Sequence, residues 1–338
     1  PSAVKEGGYW LVVSYPEDAN YNAAKSAPIQ IFVVEGQLTV EVTPHTGQYD
    51  GQTHDAAAIK VSYGGKTLTE EEYTIKFSTE NDSTYELDDM PTVTGVADSG
   101  TWYYQITADG YQTYTGDFTA EVEPVLLTLS SSLTTTKVYD GTEDAAVTMT
   151  SDMLAGVVDG ETIGVEVTAE YDGAEVGNKT ITITYTLTAD GADLGNYAFQ
   201  NEDDKTLTRT GSTVTDTDTG KITPRPVVIV LDDQKKVYDG TDDVALTGTV
   251  EITGVTGDPD SGVVNGETLT ASLVDGAAGT ASSADEGENR TVTVNTDQIR
   301  LDGDTKGNYS FTVPSPALAI THRPVTLQIG DDTGVYGE

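Results

Sequence analysis

Four short landmarks recur in fixed order along the chain, and this recurrence limits the fold more than any other feature of the sequence. Lys137-Val138-Tyr139-Asp140-Gly141-Thr142 returns 99 residues later as Lys236-Val237-Tyr238-Asp239-Gly240-Thr241. Asp159-Gly160-Glu161-Thr162 returns as Asn265-Gly266-Glu267-Thr268, and Gly195-Asn196-Tyr197 as Gly307-Asn308-Tyr309. Ile222-Thr223-Pro224-Arg225-Pro226 returns as Ile320-Thr321-His322-Arg323-Pro324, at an offset of 98. Loop lengths vary inside the period while the period itself holds, as in a tandem-repeat protein. Gln48-Tyr49-Asp50-Gly51 marks an earlier unit, and Val335-Tyr336-Gly337-Glu338 starts another.

Within each period the pattern is that of strands. From Thr180 to Thr188 every even position is Thr and every odd one apolar (Ile181, Ile183, Tyr185, Leu187). Such alternation describes a half-buried antiparallel strand. Leu38-Thr39-Val40-Glu41-Val42, Ile163 to Ala169 and Arg290 to Asn295 repeat it. Thr accounts for 54 of the 338 residues and Tyr for 18, beside many Val and Ile, all strand-favouring side chains. No stretch holds a 3.6-residue apolar period for ten residues. The sequence therefore predicts an all-β protein, built of tandem immunoglobulin-like β-sandwich modules of roughly 90–100 residues.

Charge and composition remove several function classes. With 17 basic against 56 acidic residues, the net charge is −39, which repels nucleic-acid phosphates and anionic membrane surfaces. No apolar run approaches the ~20 residues of a membrane helix, so neither nucleic-acid binding nor membrane insertion is expected. Cysteine is absent, which removes disulfides, thiolate metal sites and cysteine nucleophiles together. Three histidines, His45, His54 and His322, leave little for zinc sites or a Ser/His/Asp triad. The chain is read as a non-enzyme without a cofactor.

The Lys-Val-Tyr-Asp-Gly-Thr opening, the Gly-Asn-Tyr and the Ile-Thr-Pro-Arg-Pro exit resemble YDG- and MBG-type repeats of large bacterial surface proteins and adhesins over about 125–338. Residues 37–124 are similar to a related repeat of Gram-positive surface proteins, through Gly65-Lys66-Thr67-Leu68, Tyr73-Thr74-Ile75, Gly110-Tyr111 and Tyr114-Thr115-Gly116. Gly8-Tyr9-Trp10 and Asp18 to Ala24 resemble the end of a bacterial Ig-like repeat. The expected organisation is thus the closing strands of a truncated repeat (1–36), a first complete sandwich (37–124), two YDG-type sandwiches (125–226 and 227–324) and the opening strand of a further truncated repeat (325–338). Val227 to Leu231 begins directly after Pro-Arg-Pro, and a proline joint this short leaves little freedom. The modules should form an elongated end-to-end array, exceeding ~100 Å if each contributes a ten-residue strand of ~33 Å. The resemblance implies an extracellular stalk or spacer at a bacterial cell surface, anchored to the cell wall in the full-length protein, whose partners are neighbouring repeats. The alternative is a binding module for a glycan or host surface protein. Its candidate patch is Trp102-Tyr103-Tyr104 with Tyr111 and Tyr114, although alternation would bury Trp102 and Tyr104.

The motifs have local structural readings. In Tyr49-Asp50-Gly51, Tyr139-Asp140-Gly141 and Tyr238-Asp239-Gly240, Asp can accept a backbone N–H two residues on and Gly can take a positive φ. Tyr139 and Tyr238 would plug one end of their sandwiches, with hydroxyls reaching solvent or backbone. In Gly-Asn-Tyr, Asn suits a left-handed turn and Tyr the core. Calcium is the competing reading for the loops holding Asp190, Asp193, Asn196 and Asp302, Asp304, Asn308, because calcium takes six to eight oxygens. Neither loop supplies the glutamate that an EF-type loop requires at its twelfth position, where Asn201 and Val313 stand. An isopeptide bond would join Lys137 or Lys236 to Asn196 or Asn308, but no motif fixes the required groups together.

Overall fold

The computed structural model describes residues 7–81, 84–148 and 154–330. Of the opening strand expected over 325–338, residues 331–338 lie outside the described residues, and 325–330 form no strand, with Val325, Leu327 and Ile329 exposed because nothing pairs with them among the described residues. The fold is all-β: short strands alternate with glycine turns, and the only helical segments among the described residues are four 3-10 turns. By contacts the chain divides into one unit of Pro1–Ser130, Ser151–Val165 and Thr186–Val214, and another of Ser131–Thr150, Glu166–Tyr185 and Thr215–Glu338.

In the first unit, Gly7–Leu11 and Ile29–Val33 pair as an antiparallel ribbon whose apolar side chains are largely exposed. Two sheets follow. One joins Thr39–Pro44, Ala57–Tyr63 and Lys66–Thr67; the other joins Thr74–Ser78, Gly100–Thr107, Tyr114–Glu123 and Thr46–Gln48. Alternation places Trp102, Tyr104 and Ile106 on the buried face of their strand, with Phe118, Ala120 and Val122 on the next. Phe118 lies 5.9 Å from Trp102 and 6.2 Å from Tyr104, ring centre to ring centre. Gly116 stands opposite Tyr104, and a Cβ there would collide with the Tyr104 ring. The same unit contains Val125–Leu129, which runs parallel to Tyr197–Asn201, itself antiparallel to Thr206–Thr210.

In the second unit, Arg225–Leu231 lies parallel to Tyr309–Thr312 and antiparallel to Val250–Thr253. A five-stranded sheet orders Gln234–Val237, Ala317–Thr321, Gly287–Thr293, Ala278–Ala281 and Asp243–Ala245. Val227, Ile229, Leu318, Ile320 and Val292 fill the core. Buried Gln234 is fully hydrogen-bonded, donating to the carbonyls of Asp232 and Thr247 and accepting the Thr247 N–H. The Thr-alternating segment forms the strand Gly177–Asp190, which contributes buried Ile181, Ile183 and Tyr185 to this unit and buried Leu187 to the first.

One topological device occurs three times. The strand that follows Gly-Asn-Tyr, or Gly110-Tyr111, receives an earlier segment in parallel: Gly36 opposite Tyr111, Val125 opposite Tyr197, Arg225 opposite Tyr309. The segment leading into each Tyr-Asp-Gly lies parallel to a later strand: Gln48 opposite Glu123, Lys137 opposite Ile222, Lys236 opposite Ile320. Each such pairing ends with the tyrosine N–H donating to a carbonyl, of Glu123, Thr223 or Thr321. The three tyrosines are thereby fixed by backbone before their side chains make any contact.

Candidate functional site at the Tyr-Asp-Gly turns

The Asp and Gly of the motif build the turn. Asp140 Oδ1 accepts the Thr142 N–H at 2.9 Å and Asp239 Oδ1 the Thr241 N–H at 3.0 Å; Asp50 Oδ1 takes the Gln52 N–H at 2.8 Å. Gly51, Gly141 and Gly240 have φ of +76°, +80° and +83°, where a Cβ would be strained. The lysine three residues before the Asp, which the sequence offered only as an isopeptide donor, clamps the turn. Lys137 Nζ donates to Asp140 Oδ1 (2.8 Å), Thr142 O (2.8 Å) and Asp144 O (2.9 Å), and also lies 5.3 Å from the centre of the Tyr171 ring. Lys236 repeats this with Asp239, Thr241 and Asp243. The Lys236 ammonium, with the Thr241 N–H, holds the Asp239 carboxyl down to about 2. At Asp140, burial pushes the carboxyl up, but Lys137 and Thr142 outweigh it and the net direction is down. The first turn has Gly47 at the lysine position, and His54, stacked on His45, reaches Asp50 at 3.1 Å instead. Both lysine amines bond backbone carbonyls, carboxylates and threonine hydroxyls rather than the Asn196 or Asn308 side chains.

The hydroxyls of Tyr49 and Tyr139 end neither in solvent nor on backbone. In the second unit, Tyr139 Oη donates to Glu267 Oε1 at 2.5 Å. The other oxygen, Oε2, takes the hydroxyls of Thr305 (2.6 Å) and Tyr309. Tyr309 Oη in turn accepts the Val264 N–H at 3.0 Å, and the two tyrosine rings meet edge to face at 5.7 Å. In the first unit, Glu161 receives Tyr49 on Oε1 and Tyr197 on Oε2. Tyr197 Oη accepts the Val158 N–H at 3.2 Å, and the rings meet edge to face at 5.9 Å. The glycines complete the fit: a Cβ on Gly51 would approach Val158 to 3.3 Å, and one on Gly141 would approach Val264 equally closely.

Electrostatics keep the protons on the phenols. Burial, followed by the bond to the glutamate, pushes Tyr139, Tyr197 and Tyr309 up to about 12. Tyr49 is raised first by its bond to Glu161 and then by burial. Burial raises Glu267 too, but the hydroxyls of Thr305, Tyr139 and Tyr309 outweigh it and leave the carboxyl below its ordinary range.

The loop asparagines have a matching role. Asn196 Oδ1 accepts the Val96 N–H and Asn308 Oδ1 the Val176 N–H, both at 2.9 Å and both from buried side chains. Asp193 Oδ1 caps Gly195 N, Asp302 pairs with Lys306 at 3.3 Å, and Asp190 and Asp304 are exposed. Among the described residues no three His, Asp or Glu side chains converge where they could hold a metal ion. Of the aromatic patch, Trp102 and Tyr104 are core, leaving Tyr103, Tyr111 and Tyr114 half-exposed.

The YDG domain family model matches residues 123–206 and 223–317, together more than half of the sequence. The chain belongs to the YDG domain family. Tyr139 lies in the first YDG segment, and its acceptor Glu267 and second tyrosine Tyr309 lie in the other; Tyr49 precedes the first segment, which holds Glu161 and Tyr197. Each cluster is therefore a joint between successive stretches of the chain. Among solved structures, protocadherin gamma B2 extracellular cadherin domains 3–6 are similar at 10% identity, covering 94% of this chain and 84% of that one, with a TM-score of 0.26. The three N-terminal domains of the bacteriophage RB49 Highly Immunogenic Outer Capsid protein match at 10% identity, over 86% of this chain and 100% of theirs, with a TM-score of 0.24. A comparison with curated proteins finds no significant match. No helix among the described residues is long and apolar enough to cross a membrane.

Proposed function

We propose that this chain is a spacer: a run of β-sandwich repeats, about 37–124, 125–226 and 227–324, each locked to the next by a Tyr–Glu–Tyr joint, which holds another part of a bacterial surface protein away from the cell. The observation that carries the reading is the sharing of one carboxylate by two phenols. Tyr139 and Tyr309, from successive YDG segments, both bond Glu267, and Tyr49 and Tyr197 do the same with Glu161. A protein that only had to bind through one repeat would gain nothing from fixing the angle to the next. A spacer needs this, because a flexible linker shortens the mean reach of a chain. Six of the positions that recur within the sequence, Lys, Tyr, Asp, Gly, Glu and Asn, serve the turn or the joint. The extracellular setting follows from the resemblance to surface repeats and suits a chain without cysteine.

Small-angle scattering tests the reading. Three sandwiches locked in series should give a radius of gyration well above the ~20 Å of a compact particle of 338 residues. The double variant Glu161→Gln and Glu267→Gln should keep its strand content while its scattering shifts to that of a hinged chain. A compact particle, or an unchanged profile for the double variant, overturns the proposal.

A further inference from the structure

The third Tyr-Asp-Gly turn has the same construction as the other two, yet its hydroxyl face is open. The Tyr238 N–H donates to Thr321 O at 2.9 Å, as Tyr139 does to Thr223 O. Lys236 clamps Asp239, and Gly240 has φ +83°. Arg323 follows Thr321 at the spacing that separates Arg225 from Thr223. However, Tyr238 is 40% exposed where Tyr139 is 3% and Tyr49 7%. Around it lies an open pocket lined by Glu286, His322, Arg323 and Val325.

We infer that the Tyr238 end is a docking face for a domain that presents a turn glutamate followed by a Gly-Asn-Tyr, as residues 264–267 and 307–309 do. This rests on the spacer reading, in which the clusters at Glu161 and Glu267 are joints. Those two joints define what the face accepts: a carboxylate for the hydroxyl, a second phenol for the ring edge, and a Val beside the glycine.

The same geometry says what the face refuses. Tyr63-Gly64-Gly65-Lys66-Thr67-Leu68 aligns with Val264 to Leu269: Gly65 has φ +83° against +91° for Gly266, and Leu68 and Leu269 are both buried, although Gly64 is also left-handed (φ +56°) where Asn265 is not. Tyr111 takes the place of Tyr309 in the parallel pairing. The glutamate position, however, is held by Lys66, which pairs with Glu72 at 3.0 Å. An ammonium group has no lone pair for a phenol proton. A second copy of residues 37–124 is therefore the wrong occupant, and a Glu-bearing YDG repeat is the right one.

Tyrosine nitration read by mass spectrometry tests this on the full chain and on a fusion in which a second copy of residues 227–324, carrying Tyr238→Phe so that a single Tyr238 is read, replaces 325–338. In the full chain Tyr238 should label fast and Tyr49 and Tyr139 slowly; fast labelling of the latter two would sink the joint reading itself. In the fusion, Tyr238 labelling should fall about tenfold or more, as for an intramolecular contact at millimolar effective concentration. Glu267→Gln made only in the second copy should restore it. Unchanged Tyr238 labelling beside a second copy whose core amides resist exchange overturns the inference. An independent arm needs no fusion: Tyr238 labelling in the full chain should not depend on protein concentration. A decrease with concentration would show that a second copy does fit the face, and would overturn the exclusion by Lys66.

Discussion

The two joints share a plan and differ in strength. At Glu267, three hydroxyls converge on one carboxylate, and Arg225 spans the joint: its guanidinium donates to the carbonyls of Tyr139 (3.3 Å), Pro259 (2.9 Å), Ser261 (3.0 Å) and Gly262 (2.9 Å). At Glu161 only two hydroxyls bond the carboxylate, because Asp193 stands where Thr305 stands and cannot donate when ionised. Val125 occupies the parallel-pairing position of Arg225. The shared part, Tyr–Glu–Tyr with its Asn, sets the geometry. The variable part, Thr and Arg against Asp and Val, sets how firmly it is held. The first joint should therefore open before the second.

Alkaline pH should have the largest effect, since it attacks the shared part. The folded values of Tyr139, Tyr197 and Tyr309 lie at about 12, above the ordinary 10.0, so their stabilisation is complete below pH 10 and is lost as pH rises through 12. Glu267 has the opposite sign: its carboxyl is lowered from 4.5, so its share is present above that pH and is lost as pH falls below it. Spectrophotometric titration followed by scattering should show both joints loosening between pH 10 and 12; an unchanged profile at pH 12 would refute the proton assignment.

Removing a carboxylate comes next. Glu267→Gln should cost about 2 kcal/mol and Glu161→Gln about 1, given hydrogen bonds to a charged group and partial solvent screening. Urea unfolding measures both, and equal losses would erase the distinction between the joints. Arg225→Ala should cost about 1–2 kcal/mol through its carbonyl partners, whereas Val125→Ala should stay below about 1. Arg225→Lys should recover little, because an ammonium cannot reproduce the planar fork. Thr305→Val, which keeps the shape and removes one donor, should cost about 0.5–1.5 kcal/mol. Millimolar calcium should leave the melting temperature unchanged, because Asn196 and Asn308 already hold backbone N–H groups; a rise reversed by chelator would mean that the loops rearrange around the ion.

The sequence alone determined the strands, the period and the turns. Alternation from Thr180 to Thr188 suffices because side chains on a strand point to opposite faces with a period of two, so burial is written locally. The Asp and Gly of each Tyr-Asp-Gly were legible for the same reason: an Asx turn closes within two residues, and positive φ is a property of one. The burial of Trp102 and Tyr104 followed from strand parity. Only the tertiary structure decided where the tyrosine hydroxyls go. Tyr139 and Glu267 are 128 positions apart, and no local rule links a phenol in one repeat to a carboxylate in the next. Asn196 and Asn308 looked like loop oxygens open to a cation, and folding instead aims them at the N–H groups of Val96 and Val176, 100 and 132 positions away. The recurrence of Asp-Gly-Glu-Thr as Asn-Gly-Glu-Thr was visible in the sequence as a landmark. That its glutamate is the joint emerged only in three dimensions, because a hydrogen bond is chosen by distance and direction, and only packing brings its two ends together.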